Sequence, residues 1–188
     1  MKLYIKYMVS MRCKKLVKEE LEKLGLQSQH VFVDLGVVEV LQDITDQQRE
    51  VLKEKLLISG LEVLDDKKSV LIERIINVVC EMVMFSEDMP KKNYSEYISE
   101  KLNHDYTYLA NIFSEVKGIT LQQFIIIQKI ERVKELLLYN ELNLTEISYK
   151  LQYSSVAHLS SQFKKITGLS PSFFKQLKQK RSELLENV

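Results

Sequence analysis

The sequence has little that breaks a helix and little that staples a loop: its 188 residues include 5 Gly, 2 Pro and 2 Cys. So few helix breakers, beside 45% hydrophobic and 28% charged residues, exclude collagen-like, low-complexity and disordered chains and leave enough apolar material for one core or two small ones. Cys13 and Cys80 lie far apart in the chain with no CxxC spacing, which excludes a disulfide framework and fits a reducing compartment, so a cytoplasmic protein is expected. Long apolar runs are also missing. Val78–Phe85, with Glu81 inside it, and Phe124–Ile127 are far shorter than the ~20 residues of a spanning helix, and Lys2, Lys6 and Arg12 interrupt the start, so neither a membrane span nor a signal peptide is expected. A charge excess is nearly absent too, since 27 basic and 26 acidic residues leave a net charge of +1. The balance hides an asymmetry. Residues 1–88 carry 13 basic and 16 acidic residues, net −3, and residues 89–188 carry 14 and 10, net +4.

The patterning divides the chain in two. Lys2–Met8 reads as a strand, and Leu16, Val17, Leu21 and Leu24 form a helical stripe closed by Gly25. Val31–Asp34 and Val37–Leu41 read as a hairpin turning at Leu35-Gly36. Thr45 and Gln48 have capping-box spacing before the stripe Val51, Leu52, Lys55 and Leu56, and Leu61–Leu64 reads as a last strand. This βαββαβ order predicts a ferredoxin-like α+β domain over residues 1–66, with the charged run Asp65–Lys68 as the boundary after it.

From residue 69 to 188 the period is helical throughout. The stripe Val70, Leu71, Ile75, Val78, Val79 and Met82 ends at Met89-Pro90, and Tyr94–Leu102, Thr107–Val116, Leu121–Leu138, Leu144–Leu151, Val156–Ile166 and Pro171–Leu185 follow, giving an all-α domain of seven helices. Two pairs of these helices have helix-turn-helix spacing, at about 94–117 and 143–167, with 121–138 as a linker helix. Between Ile147 and Ser182 there is no acid but there are seven bases: Lys150, Lys164, Lys165, Lys175, Lys178, Lys180 and Arg181. Such a run suits phosphate, because each phosphate neutralised releases condensed counterions.

Lys129–Leu137, Leu144–Ile147, Tyr153–Lys165 and Thr167-Gly168-Leu169-Ser170-Pro171 together resemble the signature of the AraC/XylS family of bacterial regulators, over about residues 69–180. The resemblance implies a transcription regulator whose reading helices enter adjacent major-groove segments of promoter DNA. By position it directs Ala157, His158, Ser160, Ser161 and Gln162 toward base edges and Lys164 toward phosphate, with Lys165 beside it in the basic run. In the first unit the matching residues are Thr107, Ala110 and Asn111, with Tyr106 near the DNA backbone. Ser114-Glu115 stands where the family usually has a basic pair, and Glu115 would repel a phosphate it faced. Without an arginine fork in either reading helix, direct readout is expected to be modest and binding weak or partner-assisted.

Met11-Arg12-Cys13-Lys14-Lys15-Leu16 resembles the MxCxxC loop of heavy-metal-associated domains, with Leu16 in place of the second thiolate. One thiolate cannot hold a soft metal, so no metal site is expected, while Cys13 stands as a ligand or redox candidate. The first domain is open to three readings: dimer or protein contact, a small-molecule or metal effector, and redox sensing. Leu159, Phe163, Phe173 and Phe174 are expected in the core, as is Cys80. Alternatives to DNA binding are an interaction protein that no longer binds DNA and a metal or small-ligand binder. No cofactor and no enzyme activity are expected, since the sequence has no P-loop, dinucleotide fingerprint or nucleophile elbow, and His30, His104 and His158 lie in separate segments.

Overall fold

The computed structural model describes residues 1–26, 31–41, 44–84, 93–139 and 142–177. Met89-Pro90, His30, Lys178, Lys180 and Arg181 lie outside the described residues. The element order is β1 (Lys2–Lys6), α1 (Met11–Lys23), β2 (Val31–Asp34), β3 (Val37–Val40), α2 (Asp46–Ile58), β4 (Glu62–Val63), α3 (Asp66–Met84), α4 (Tyr94–Leu102), α5 (Tyr106–Lys117), α6 (Leu121–Tyr139), α7 (Leu144–Lys150) and α8 (Val156–Thr167). Residues 171–177 are also helical.

Two compact units emerge, one of residues 1–77 with 94–121, the other of 78–93 with 122–188. In the first, four strands form an antiparallel sheet in the order β2-β3-β1-β4. Strand alternation sends Leu3, Ile5, Val38 and Val40 to one face, where they pack with Val17 and Leu21 of α1 and Leu52 and Leu56 of α2. The helices are capped as their sequences specify. Ser10 accepts from Cys13 at the start of α1, and Thr45 and Gln48 close a capping box on α2. Gln48 Nε2 also donates to the Leu24 carbonyl at 3.0 Å, tying the start of α2 to the end of α1.

Two features depart from the sequence reading. Asp65–Lys68 is not a linker: Asp65 accepts from the Lys68 amide at 2.8 Å, and α3 starts at Asp66, because an aspartate before a helical stripe is a good N-cap. The division at residues 66–69 also differs from the compact units, which group α4 and α5 with the sheet. The reason is a set of contacts more than a hundred residues apart in sequence. Tyr7 donates to the Glu115 carbonyl at 2.8 Å, and Lys6 pairs with the Glu115 carboxylate at 3.0 Å. Gly36 comes so close that a Cβ there would lie 1.9 Å from the Val116 oxygen.

In the second unit, Ile130, Val133, Leu136 and Leu137 of α6 pack with Ile147, Leu151, Leu159 and Phe163. Phe174 joins this core, its ring 5.5 Å from that of Phe163. Phe173, expected in the core, is 49% exposed, because consecutive helical residues point about 100° apart and Phe174 takes the inward position. Cys80, expected buried, is half-buried, with Sγ 3.8 Å from Gln128 Oε1.

Candidate nucleic-acid interface

Helix α8 is fixed by its ends and its buried stripe. Ser155 caps its start by accepting from the His158 amide, and Gly168 closes its end in the left-handed conformation. Leu159 and Phe163 are fully buried, which stabilises the helix by about 1.5–3 kcal/mol for each side chain. At 100° per residue, that stripe turns Ala157, His158, Ser161, Lys164 and Lys165 outward, and all five are exposed. Ser160 and Gln162 lie at its flanks and are half-buried. The lysines sit in the last turn, where they also offset the negative end of the helix dipole.

The turn before α8 is held from below. Gln152 takes positive φ, and the Tyr153 amide donates to the Ser148 carbonyl at 2.9 Å. His158 Nδ1 is 3.0 Å from Ser154 Oγ, and its ring meets the Tyr153 ring edge-on at 5.5 Å. Lys129 also meets Tyr153, its ammonium over the ring and 4.6 Å from the centroid. Lys129 is only 7% exposed, and burial pushes its pKa down to about 8. The sequence reading gave Lys129 no role. Its one signal was position: a lysine four residues from both Ile125 and Val133, inside a buried stripe.

The first unit repeats this plan. Asp105 caps α5 by accepting from the Thr107 and Tyr108 amides, and Gly118 ends it at positive φ. Leu109, Ile112, Phe113 and Val116 are buried. Thr107 and Asn111 are exposed, while Ala110 and Tyr106 are half-buried, so only the first two of the four named residues stand on the outward face. Tyr108 is 44% exposed on that face, its ring 5.6 Å from His104. Glu115 is held by Lys6, which moderates the repulsion expected of it.

The remaining candidates lie elsewhere. Cys13 is half-buried at the start of α1, and a hydrogen bond with Ser10, 3.1 Å away, holds its thiol pKa below the usual value. Lys14, next to it in the chain, is bound to Asp34 at 2.6 Å. No group of three or more His, Cys, Asp or Glu able to hold a metal occurs among the described residues. No described helix is long and apolar enough to cross a membrane.

Residues 98–176 match the family model of the helix-turn-helix domain, from within α4 to the helical segment after α8. The chain therefore carries a helix-turn-helix domain. Among particular proteins, it is 31% identical over 122 residues to an HTH-type transcriptional regulator of Staphylococcus aureus, covering 64% of this chain and 15% of the relative. It is 24% identical over 166 residues to the HTH-type transcriptional regulator YtdP of Bacillus subtilis, covering 78% of this chain and 21% of that one. This chain thus spans only 15% to 21% of the length of these relatives. Among solved structures, the C-terminal domain of AraT, a response regulator from Geobacillus stearothermophilus, is similar with a TM-score of 0.48 and 27% identity, over 57% of this chain and 84% of that one.

Proposed function

We propose that this chain is a double-stranded DNA-binding transcription regulator of the AraC/XylS type that reads promoter sequence through α8 and, more weakly, α5. The observation that carries the reading is the outward face of α8. Ala157, His158, Ser161, Lys164 and Lys165 are exposed together on a helix whose other side is locked into a core, with no acidic residue among them. Small and polar residues at the start can approach base edges, and the two lysines at the end can neutralise phosphate. Ser160 and Gln162 reach the flanks of the same contact. In α5, Thr107 and Asn111 face outward for the same role, with Ala110 and Tyr106 at the margin. The two reading helices would occupy adjacent major-groove segments.

For residues 1–66 we propose a ferredoxin-like domain, supported by the βαββαβ order and the antiparallel sheet order β2-β3-β1-β4. Its role in this reading is to hold α5, supported by the Lys6–Glu115 pair and the Tyr7-to-Glu115 hydrogen bond. Residues 69–188 supply the DNA-binding helices. A homodimer through the first domain fits the same reading.

The test is binding of the purified chain to the DNA upstream of its own coding region and to a scrambled duplex of equal length, at two salt concentrations. A preference that survives the higher salt is expected, since phosphate contacts weaken with salt while base contacts persist. Equal binding to both duplexes, lost at the higher salt, overturns sequence reading and leaves a basic surface.

A further inference from the structure

We propose that the first unit binds a small organic anion in the cavity on the sheet face opposite α1 and α2, with Lys117 of α5 as the cation that meets it. The cavity measures about 770 Å³, within the range of roughly 300–1,000 Å³ that encloses small ligands. Its floor is set by strand register. Lys2 pairs with Glu39 and Tyr4 with Val37, while Phe32 pairs with Glu39 and Asp34 with Val37, so these six side chains share one face. Ile76 of α3 and Lys117 complete the lining, and Met11, Lys14, Lys15 and Lys18 of α1 stand at the β2 edge.

The chemistry of the lining selects the ligand. Five lysines face the cavity and only two carboxylates, and one of these, Asp34, is already bound to Lys14 at 2.6 Å. Lys117 is half-buried, its ammonium 5.5 Å from the centre of the Tyr4 ring, and no carboxylate oxygen comes within 4.0 Å of it among the described residues. Burial pushes its pKa down, and the like charge of Lys2 adds to the fall, while Asp34, whose carboxylate is already bound to Lys14, opposes it without cancelling it. An anion at this point offsets the cost of burial. Phe32, 58% exposed, with Tyr4, Val37 and Ile76 offers apolar surface next to the charge, which suits a carboxylate, sulfonate or phosphate carried on an aromatic or aliphatic body better than a bare inorganic ion. Tyr4 itself is anchored, donating to Glu73 at 3.3 Å.

Lys117 is also the last residue of α5. An anion held there touches the first reading helix directly, and this consequence, unlike the binding itself, rests on the DNA-binding reading above. Binding and DNA affinity would then be linked reciprocally.

The experiment uses the full chain without DNA, so it stands or falls apart from the DNA reading. The probe is 8-anilinonaphthalene-1-sulfonate, followed by fluorescence, with 4-phenylbutyrate, phenyl phosphate, inorganic phosphate and the neutral 4-phenylbutanamide as competitors. One saturable site is expected, displaced by phenylbutyrate or phenyl phosphate at concentrations where inorganic phosphate and the neutral amide have no effect. Which of the two organic anions competes better separates a carboxylate from a phosphate ligand. Lys117→Gln should weaken the probe about tenfold or more, the effect of losing a charge-assisted contact, and Lys2→Gln, on the same floor, should weaken it less. Both variants should keep the far-ultraviolet circular dichroism of the parent. Unchanged probe affinity in Lys117→Gln, displacement by the neutral amide as effective as by the anions, or no saturable site overturns the proposal.

Discussion

Residues 107–118 and 157–168 can be laid over one another position by position at a constant offset of 50. Leu109 then falls on Leu159, Phe113 on Phe163 and Gly118 on Gly168, and all four apolar side chains are 0% exposed. Both helices start at a side-chain N-cap and end at a left-handed glycine. The outward positions have not been kept alike. His158 falls on Tyr108, and Lys164-Lys165 on Ser114-Glu115. The C-terminal end of α5 is also engaged by the sheet, through Lys6 and Tyr7, while Lys164 and Lys165 of α8 are exposed. What holds a reading helix in place is thus separable from what it presents: the same core and caps support a basic face in one unit and a docking end in the other.

The largest expected effect tests the shared part. Phe113→Ala and Phe163→Ala should each cost about 3–5 kcal/mol, the range for removing a fully buried aromatic ring, measured by urea denaturation. A loss below about 1 kcal/mol at either position would break the equivalence of the two cores.

The next concerns the part that differs. Replacing Lys164 and Lys165 together by Glu should lower duplex affinity about a hundredfold in 0.1 M salt and reduce the slope of log affinity against log salt, as expected when phosphate contacts become repulsions. Glu115→Gln should change affinity by less than about threefold, since its charge is already met by Lys6. Fluorescence anisotropy with a labelled duplex measures both. Similar losses in the two variants would show that α5 and α8 meet phosphate alike.

A smaller contrast lies in the closing glycines. Both have positive φ, +68° at Gly118 and +77° at Gly168, so alanine at either costs about 1–2 kcal/mol. A Cβ at Gly118 would also lie 2.5 Å from Val9 Cγ1, whereas at Gly168 it meets nothing within 4 Å. Gly118→Ala should therefore be the more damaging by about 1 kcal/mol, read from paired thermal melts; equal costs would mean that Val9 moves aside freely.

The finest test probes the support of α8. Lys129 has a pKa of about 8 in the folded chain against an ordinary 10.5, through burial. Across that window the unfolded chain binds more protons than the folded one, so stability should rise as pH climbs from about 8 to 10.5. Lys129→Met should flatten the rise. Urea midpoints at several pH values measure it, and the same slope in both proteins would show that another group is responsible.

Much of this was legible in the sequence wherever the information is local. The stripes of α1, α2, α5 and α8, the Thr45–Gln48 box and the basic run over Lys164-Lys165 all follow from residues within a few positions of one another. The outward face of α8 was legible for the same reason, since one buried pair, Leu159 and Phe163, fixes the direction of every other side chain on that helix. Asp65–Lys68 misled because four charges serve equally well as a surface joint or as the first turn of a helix, and only the stripe beyond decides. Phe173 misled because periodicity cannot choose between two adjacent phenylalanines.

The sequence by itself determined which segments become helices and strands, where each is capped, and which side of each is apolar, because those depend on backbone geometry and on neighbours one turn away. Only the tertiary structure decided that α5 joins the sheet through Glu115 and Val116, that Tyr108 faces outward, that Lys129 lies beneath Tyr153, and that Lys117 enters a cavity floored by Tyr4 and Phe32. Each of these brings together groups distant in the chain or sets a lysine against an apolar surface, and no local pattern records which distant surface will cover it.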